Sequence, residues 1–335
     1  MGTTVGCLSE QADYQTDTAF YHWKTELNIS PQEADFLVNV SAKRLYCKFF
    51  DVDVEQEGAD PTPRAVIAAP DTANTYRGFE IVPVVFLTNR SFQNRKPEFA
   101  ARLAERVVGL IEQRRNFLRL PEPIEYQFDC DWSSSTRELY FEFLKELRKR
   151  LPENSRLSAT VRLHQIRYPE RTGVPPVDRG TLMCYNVGEV DRWESENSIL
   201  TTTGVAAYLE PAAAYPLPLD AALPIFAWGA VYRHGKLVRL LNNLTAEELT
   251  DTARYEAMSP ARFRVRQSGY LRGQYLYRDD RIRTEAVEPE VLRATATLLK
   301  EYLPPADRHL IWYHLDTAII RRYEAVFLDS LAATF

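Results

Sequence analysis

The chain has 335 residues, 45% of them apolar and 26% charged, with a net charge of −5. That length buries a large core, as one big barrel or two ordinary domains, and the apolar-to-charged balance excludes wholesale disorder. The acidic balance leaves no basic footprint for nucleic acid, and no segment reaches the roughly 20 apolar residues of a membrane span.

Taken from the amino end, residues 1–17 read as a polar, flexible leader. Within it, Thr3-Thr-Val-Gly-Cys7 resembles the end of a bacterial lipoprotein signal, where Gly precedes a lipid-accepting Cys. That resemblance implies a lipid on Cys7 as the one link to a membrane, and a place at the bacterial cell envelope or outside the cell. Cys47, Cys130 and Cys184 lie in apolar runs instead, and read as small buried hydrophobes rather than a disulfide framework.

From residue 18 onward, strand patterns alternate with helical ones in a single unit, 18–335. Strands are expected over 18–26, 44–54, 80–87, 125–131, 157–165, 181–185, 223–232 and 310–315. Helices are expected over 31–40, 98–113, 136–151, 198–209 and 289–303. Residues 55–76, rich in Pro, Asp and Thr, read as a long loop after the second strand. A longer insertion, 242–288, separates the seventh strand from the eighth, with a short helix at 246–255 and strand pieces near 263–265 and 274–277. Eight strands at this spacing predict an α/β fold, a (β/α)8 TIM barrel, whose usual length is about 250 residues before insertions. No Gly-rich fingerprint follows the first strand, which argues against a doubly wound open sheet.

In such a barrel, chemistry gathers where strands run out into loops. The richest strand end is Ile124-Glu-Tyr-Gln-Phe-Asp-Cys-Asp-Trp-Ser133. Strand side chains alternate faces, so Asp129 and Asp131 are expected on one side and Phe128, Cys130 and Trp132 on the other. Other strand ends bring His22, Lys24, Glu26, Lys48, Asp51, Asp53 and Asn89. The later strands add Arg162, His164, Gln165, Tyr185, Asn186, Trp228, Tyr313, His314 and Asp316. An apolar barrel has no structural need for so many ionisable groups at one rim, which points to a ligand site.

Here a family resemblance enters. Asp129-Cys-Asp131-Trp132-Ser133 and the following Tyr140-Phe-Glu-Phe-Leu-Lys-Glu-Leu-Arg148 resemble the fourth strand and helix of family 18 glycoside hydrolases, the chitinases and endo-N-acetylglucosaminidases. Leu157-Ser-Ala-Thr-Val161 resembles that family's fifth strand, and Leu182-Met-Cys-Tyr-Asn186 its sixth. The likeness covers roughly residues 124–190; the overall pattern also resembles bacterial cell-envelope barrels. It implies a glycan partner held by Tyr185 and Asn186 near its acetamido group, with Tyr313 as an aromatic floor. Two positions depart from the pattern. The family's general acid is a Glu where this chain has Ser133, and the Asp of the sixth-strand motif is Asn186. Asp129 and Asp131 match the supporting acids, and Ser cannot protonate a leaving oxygen at neutral pH.

Read from the residues alone, Asp129 and Asp131 remain the candidate catalytic acids, since two close carboxyl groups share protons and raise one pKa. Glu26, Asp51, Asp53 or Asp316 would supply the second carboxylate, and Arg162, His164 and Trp228 would join Tyr185, Asn186 and Tyr313 around the substrate. The alternative for Asp129 is structural: pairing with Arg162 or Lys48 inside the barrel. His22, His164 and His314 raise a metal reading, but no His-x-His or other ligand spacing accompanies them, so no metal and no cofactor are expected. Three functions stand open: a glycoside hydrolase-like enzyme, a non-catalytic glycan-binding barrel that lost its acid, and a metal-dependent hydrolase.

Overall fold

A computed structural model of the chain describes residues 14–56, 58–69 and 76–335. Cys7 and residues 1–13 of the expected leader lie outside the described residues, while Thr16 and Asp17, also expected in the leader, already belong to the first strand. Eight strands form the barrel: β1 (Thr16–His22), β2 (Arg44–Asp53), β3 (Glu80–Leu87), β4 (Glu125–Cys130), β5 (Arg156–Arg162), β6 (Arg179–Met183), β7 (Leu219–Pro224) and β8 (Arg308–Tyr313). Each pairs in parallel with its neighbour, and β8 pairs with β1 to close the ring. The (β/α)8 expectation is met.

Which face of a strand points inward is settled by bonds between strands that are not neighbours. Tyr21 of β1 donates to Gln127 of β4 at 2.7 Å, and Gln127 donates to Thr181 of β6 at 3.0 Å. These groups meet only across the barrel interior. On β4, therefore, Glu125, Gln127 and Asp129 point inward, while Tyr126, Phe128 and Cys130 face the helices. Phe128 meets Phe143 edge-on, with ring centroids 5.8 Å apart. Deep in the barrel, Glu125 is ringed by Arg44, Arg156, Tyr46 and Ser158. Buried charges survive there because each is paired and hydrogen-bonded.

The helices follow from their stripes and caps. Ser30 and Glu33 form a capping box ahead of α1 (Pro31–Asn39), with Pro31 in the first turn. Helix α2 spans Glu98–Leu118, and helix α3 (Arg137–Arg148) buries Tyr140, Phe143, Leu144 and Leu147 at helical spacing. After β5 the chain turns at once into α4 (Leu163–Arg167), and α5 (Thr202–Leu209) precedes β7. Helices α6 (Pro289–Tyr302) and α7 (Ala325–Thr334) flank β8 in sequence.

The seventh strand differs from expectation. It runs Leu219–Pro224, not 223–232, and the next strand, Trp228–Arg233, belongs to a second sheet. The apolar run Ala221–Tyr232 covers most of both strands, so periodicity does not show the switch; Pro224, with no N–H to extend the ladder, ends β7. The second sheet is antiparallel, in the order 236–242, 228–233, 281–285, 262–265, 255–259. A separate hairpin pairs Gly269–Leu271 with Gln274–Leu276. Where a helix over 246–255 is expected, the chain makes a single 3-10 turn, Ala246–Leu249, before the strand Tyr255–Ser259. This sheet has its own apolar core, including Val231, Leu241, Phe263, Val265 and Ile282, distinct from the core of the barrel.

Candidate functional site

At the carboxyl ends of the barrel strands lies a pocket of about 560 Å³. The strands deliver its lining in turn. Trp23 follows β1, Lys48 and Asp51 come from β2, Phe86 from β3, Asp129 from β4 and Arg162 from β5. Met183 ends β6, with Tyr185 and Asn186 just beyond; Phe226 follows β7, Tyr313 ends β8 and His314 succeeds it. Trp228, Asn242 and Asn243 reach in from the second sheet.

Aromatic rings make a continuous wall. Trp23 and Tyr313 are 5.7 Å apart by ring centroid, Tyr313 and Tyr185 5.3 Å, Tyr185 and Phe226 6.2 Å, and Phe226 and Trp228 5.2 Å. The Lys48 ammonium sits 5.7 Å from the Trp23 ring and 3.1 Å from an Asp51 carboxylate oxygen. Trp228 is held from behind: its indole N–H donates to Glu285 at 3.1 Å. Glu285 also accepts from the Ser198 backbone at 2.7 Å and the Ser198 hydroxyl at 2.6 Å.

The two aspartates part company. Asp129 is buried and accepts a hydrogen bond from Thr160 Oγ1 at 2.6 Å. Burial lifts its carboxyl to about 6, against the pull of Arg162 and the Thr160 hydroxyl and with help from the charges of Asp131 and Asp51. Asp131 lies outside the pocket lining, on the rim, where its side chain is 52% exposed. Both of its oxygens are taken by the Arg162 fork, one through Nε and the other through Nη2 at 2.8 Å. Arginine pairing thus falls on Asp131, while the expected structural pairing of Asp129 is replaced by the bond to Thr160.

Ser133, at the position the resemblance gives to a general acid, is also absent from the pocket lining. Its hydroxyl is 3.0 Å from that of Ser135 and 3.2 Å from that of Thr136, in the turn that opens α3. Of the expected substrate residues, Asp51, Arg162, Tyr185, Asn186, Trp228 and Tyr313 converge on the pocket. Glu26 and His164 do not. The first barrel strand stops at His22, and Glu26 faces a side groove with Lys24 and Glu33. The fifth stops at Arg162, which leaves His164 exposed on α4.

The three histidines do not gather either. His22 is buried near the Asn28 carbonyl, and burial pushes its pKa down to about 4. Among the described residues no three His, Cys, Asp or Glu side chains group as metal ligands. Trp23, Phe86, Met183, Phe226, Asn242 and Asn243 also line the pocket and are not among the expected site residues. Within the expected strands 18–26 and 223–232, Trp23 shares a face with Tyr21 and Phe226 with Trp228, a pattern that marks both. Asn242 and Asn243 carry no local signal, because only the folding of the second sheet brings them over the barrel.

No protein-family model and no curated protein matches the chain. Solved structures do, at the level of the fold. The spore cortex-lytic enzyme SleL of Bacillus cereus superposes with a TM-score of 0.56 at 15% identity, over 95% of this chain and 74% of that one. A chitinase from Chromobacterium violaceum gives a TM-score of 0.55 at 14% identity, over 94% and 99%. The catalytic domain of a psychrophilic chitinase B from Arthrobacter gives 0.52 at 11% identity, over 96% of each chain. The chain shares the barrel fold of these enzymes.

Proposed function

We propose that this protein binds a glycan in the pocket at the carboxyl face of its barrel, and that it holds the chain without cleaving it efficiently. The observation that carries the reading is the ring wall of Trp23, Tyr185, Phe226, Trp228 and Tyr313 around the charged groups Lys48, Asp51, Asp129 and Arg162. Aromatic faces take the apolar side of a pyranose, while a few placed polar groups take its hydroxyls. The volume of about 560 Å³ falls within the usual range for small-ligand sites. The glycoside hydrolases that share the fold support the same class of ligand.

Weak or absent cleavage follows from the acids. Glycoside hydrolysis generally needs two carboxyl groups flanking the scissile bond, one of them a proton donor. Here Asp131 is locked to Arg162 on the rim, and position 133 offers a hydroxyl in a turn. One observation favours a second, hydrolytic reading: Asp129, lifted to about 6, keeps a proton close to neutral pH and faces the pocket with Asp51. The leader around Cys7 and the spore-cortex role named for SleL support a place at the bacterial envelope.

The test is a panel of soluble oligosaccharides, starting with chitin fragments because chitinases share the fold, scored for binding by calorimetry and for release of reducing ends. Binding without release is expected, with Trp228→Ala and Tyr313→Ala each weakening it by about tenfold or more, as the loss of a stacked ring implies. Release abolished by Asp129→Asn would establish the hydrolytic reading. A panel in which nothing binds would reject both.

A further inference from the structure

The second sheet differs in charge from the barrel that carries it. Residues 228–285 hold eleven Arg and Lys against seven Asp and Glu, a net of +4, so within a chain of −5 the remainder carries −9. On this basic segment sits the largest group of neighbouring exposed rings. Tyr270, Tyr275 and Tyr277 are 70%, 45% and 52% exposed. Their arrangement is built by the backbone. Arg272 and Gly273, both at positive φ, close a two-residue hairpin turn that sets Tyr270 directly opposite Tyr275. Tyr277 follows two residues on, and both neighbouring pairs of rings have centroids 5.1 Å apart.

The stripe borders a groove of about 300 Å³, between this hairpin and the strands Trp228–Arg233 and Lys236–Asn242. Arg233, Val238, Arg239, Gln274, Tyr275 and Tyr277 are among its lining residues. Arg233 is fixed. Its guanidinium lies 4.3 Å from the Tyr277 ring centroid and pairs with buried Asp280 through bonds of 2.8 and 2.9 Å. Arg239 is exposed and makes no ion pair or hydrogen bond among the described residues. A solvent-exposed cluster of three rings beside an uncommitted guanidinium marks an interaction surface.

We propose that this groove is a second, non-catalytic binding site for an acidic polysaccharide, with the tyrosine rings against the sugar faces and Arg239 on a carboxylate or other anionic substituent. Charge complementarity selects the anionic class, and the exposed tyrosine rings offer faces on which sugar rings stack. The choice of a glycan rests on the function proposed for the barrel pocket, but the two sites share no residue.

Gel retardation of the full chain by polygalacturonate, with neutral dextran as the control, tests the proposal. Retardation by polygalacturonate alone is expected, and it should fall steeply by 0.5 M salt, where the screening length is only about 4–5 Å. Tyr275→Ala and Arg239→Glu should each reduce it at least fivefold with melting temperature unchanged, since both side chains are exposed, while Trp228→Ala should leave it intact. No retardation, or retardation untouched by Tyr275→Ala and Arg239→Glu, overturns the site. Stronger binding to phosphatidylglycerol vesicles or to single-stranded DNA through the same residues overturns its assignment to glycans. Chitin-fragment binding is read separately, so failure of the barrel pocket and failure of the groove give different results.

Discussion

Asp129 sets burial against charge in the pocket. Burial, together with the charges of Asp131 and Asp51, favours the protonated form, while Arg162 and the Thr160 hydroxyl favour the anion; the balance falls at about 6. An unfolded chain would hold this proton with a pKa of about 3.9. The folded state therefore binds the proton more tightly. The stability this contributes is complete below about pH 4 and is lost as pH rises through about 6. At 1.36 kcal/mol per pKa unit the loss is on the order of 3 kcal/mol. Asp129→Asn removes the titration and still accepts from Thr160. Relative to the wild type it should gain about that much unfolding free energy between pH 4 and pH 7 in urea melts. A difference constant across that range would refute the assignment. Glu125, also raised by burial, titrates in both proteins and cancels in the comparison. Asp129 and Asp131 are legible in the sequence as a pair, but their fates are not. Alternation binds residues only while the strand lasts, and β4 ends at Cys130, so Asp131 is free to swing to the Arg162 fork.

One strand of the second sheet sets the far wall of the pocket. Trp228 stands opposite Glu285 in the ladder, and the Glu285 carboxylate collects donors from the Trp228 indole, the Ser198 backbone and hydroxyl, and the Arg283 guanidinium. A buried carboxylate with so many donors fixes the ring that it holds. Glu285→Gln keeps the shape but removes the charge and turns an amide N–H₂ toward existing donors. It should destabilise the protein by about 3 kcal/mol, the usual cost of breaking a buried pair, and weaken glycan binding about tenfold without touching the ligand. Urea unfolding and calorimetry read the two effects, and a variant that unfolds and binds like the wild type would show that the lock is idle. Trp228 is expected at the end of the seventh barrel strand, but it reaches the pocket from the second sheet. The apolar run from Ala221 to Tyr232 spans two sheets, and nothing local marks the crossing except Pro224. By contrast, α3 was readable because Tyr140, Phe143, Leu144 and Leu147 bury one helical stripe, a pattern written within a single element.

At the scale of the whole molecule, the pocket is assembled from two apolar cores of unequal size. The barrel core extends through all eight strands and their helices, whereas the second core is a small cluster around Val231, Phe263, Val265 and Ile282. Small cores leave little surplus over chain entropy, so the second sheet should open at lower free energy than the barrel. Phe263 is a suitable probe, buried between strands that place it opposite Ala257 and Ile282. Phe263→Ala should cost about 3–5 kcal/mol within that cluster. Amide exchange should then rise across 228–265 and 281–285, while β1 to β8 keep their protection. Glycan affinity should fall with it, because Trp228, Asn242 and Asn243 enter the pocket from this sheet. Uniform loss of protection across both cores would show one cooperative unit and reject the division. If the division holds, a bound glycan bridging barrel and sheet stabilises the closed form of the sheet by mass action, and saturating ligand should restore part of the exchange protection lost in Phe263→Ala.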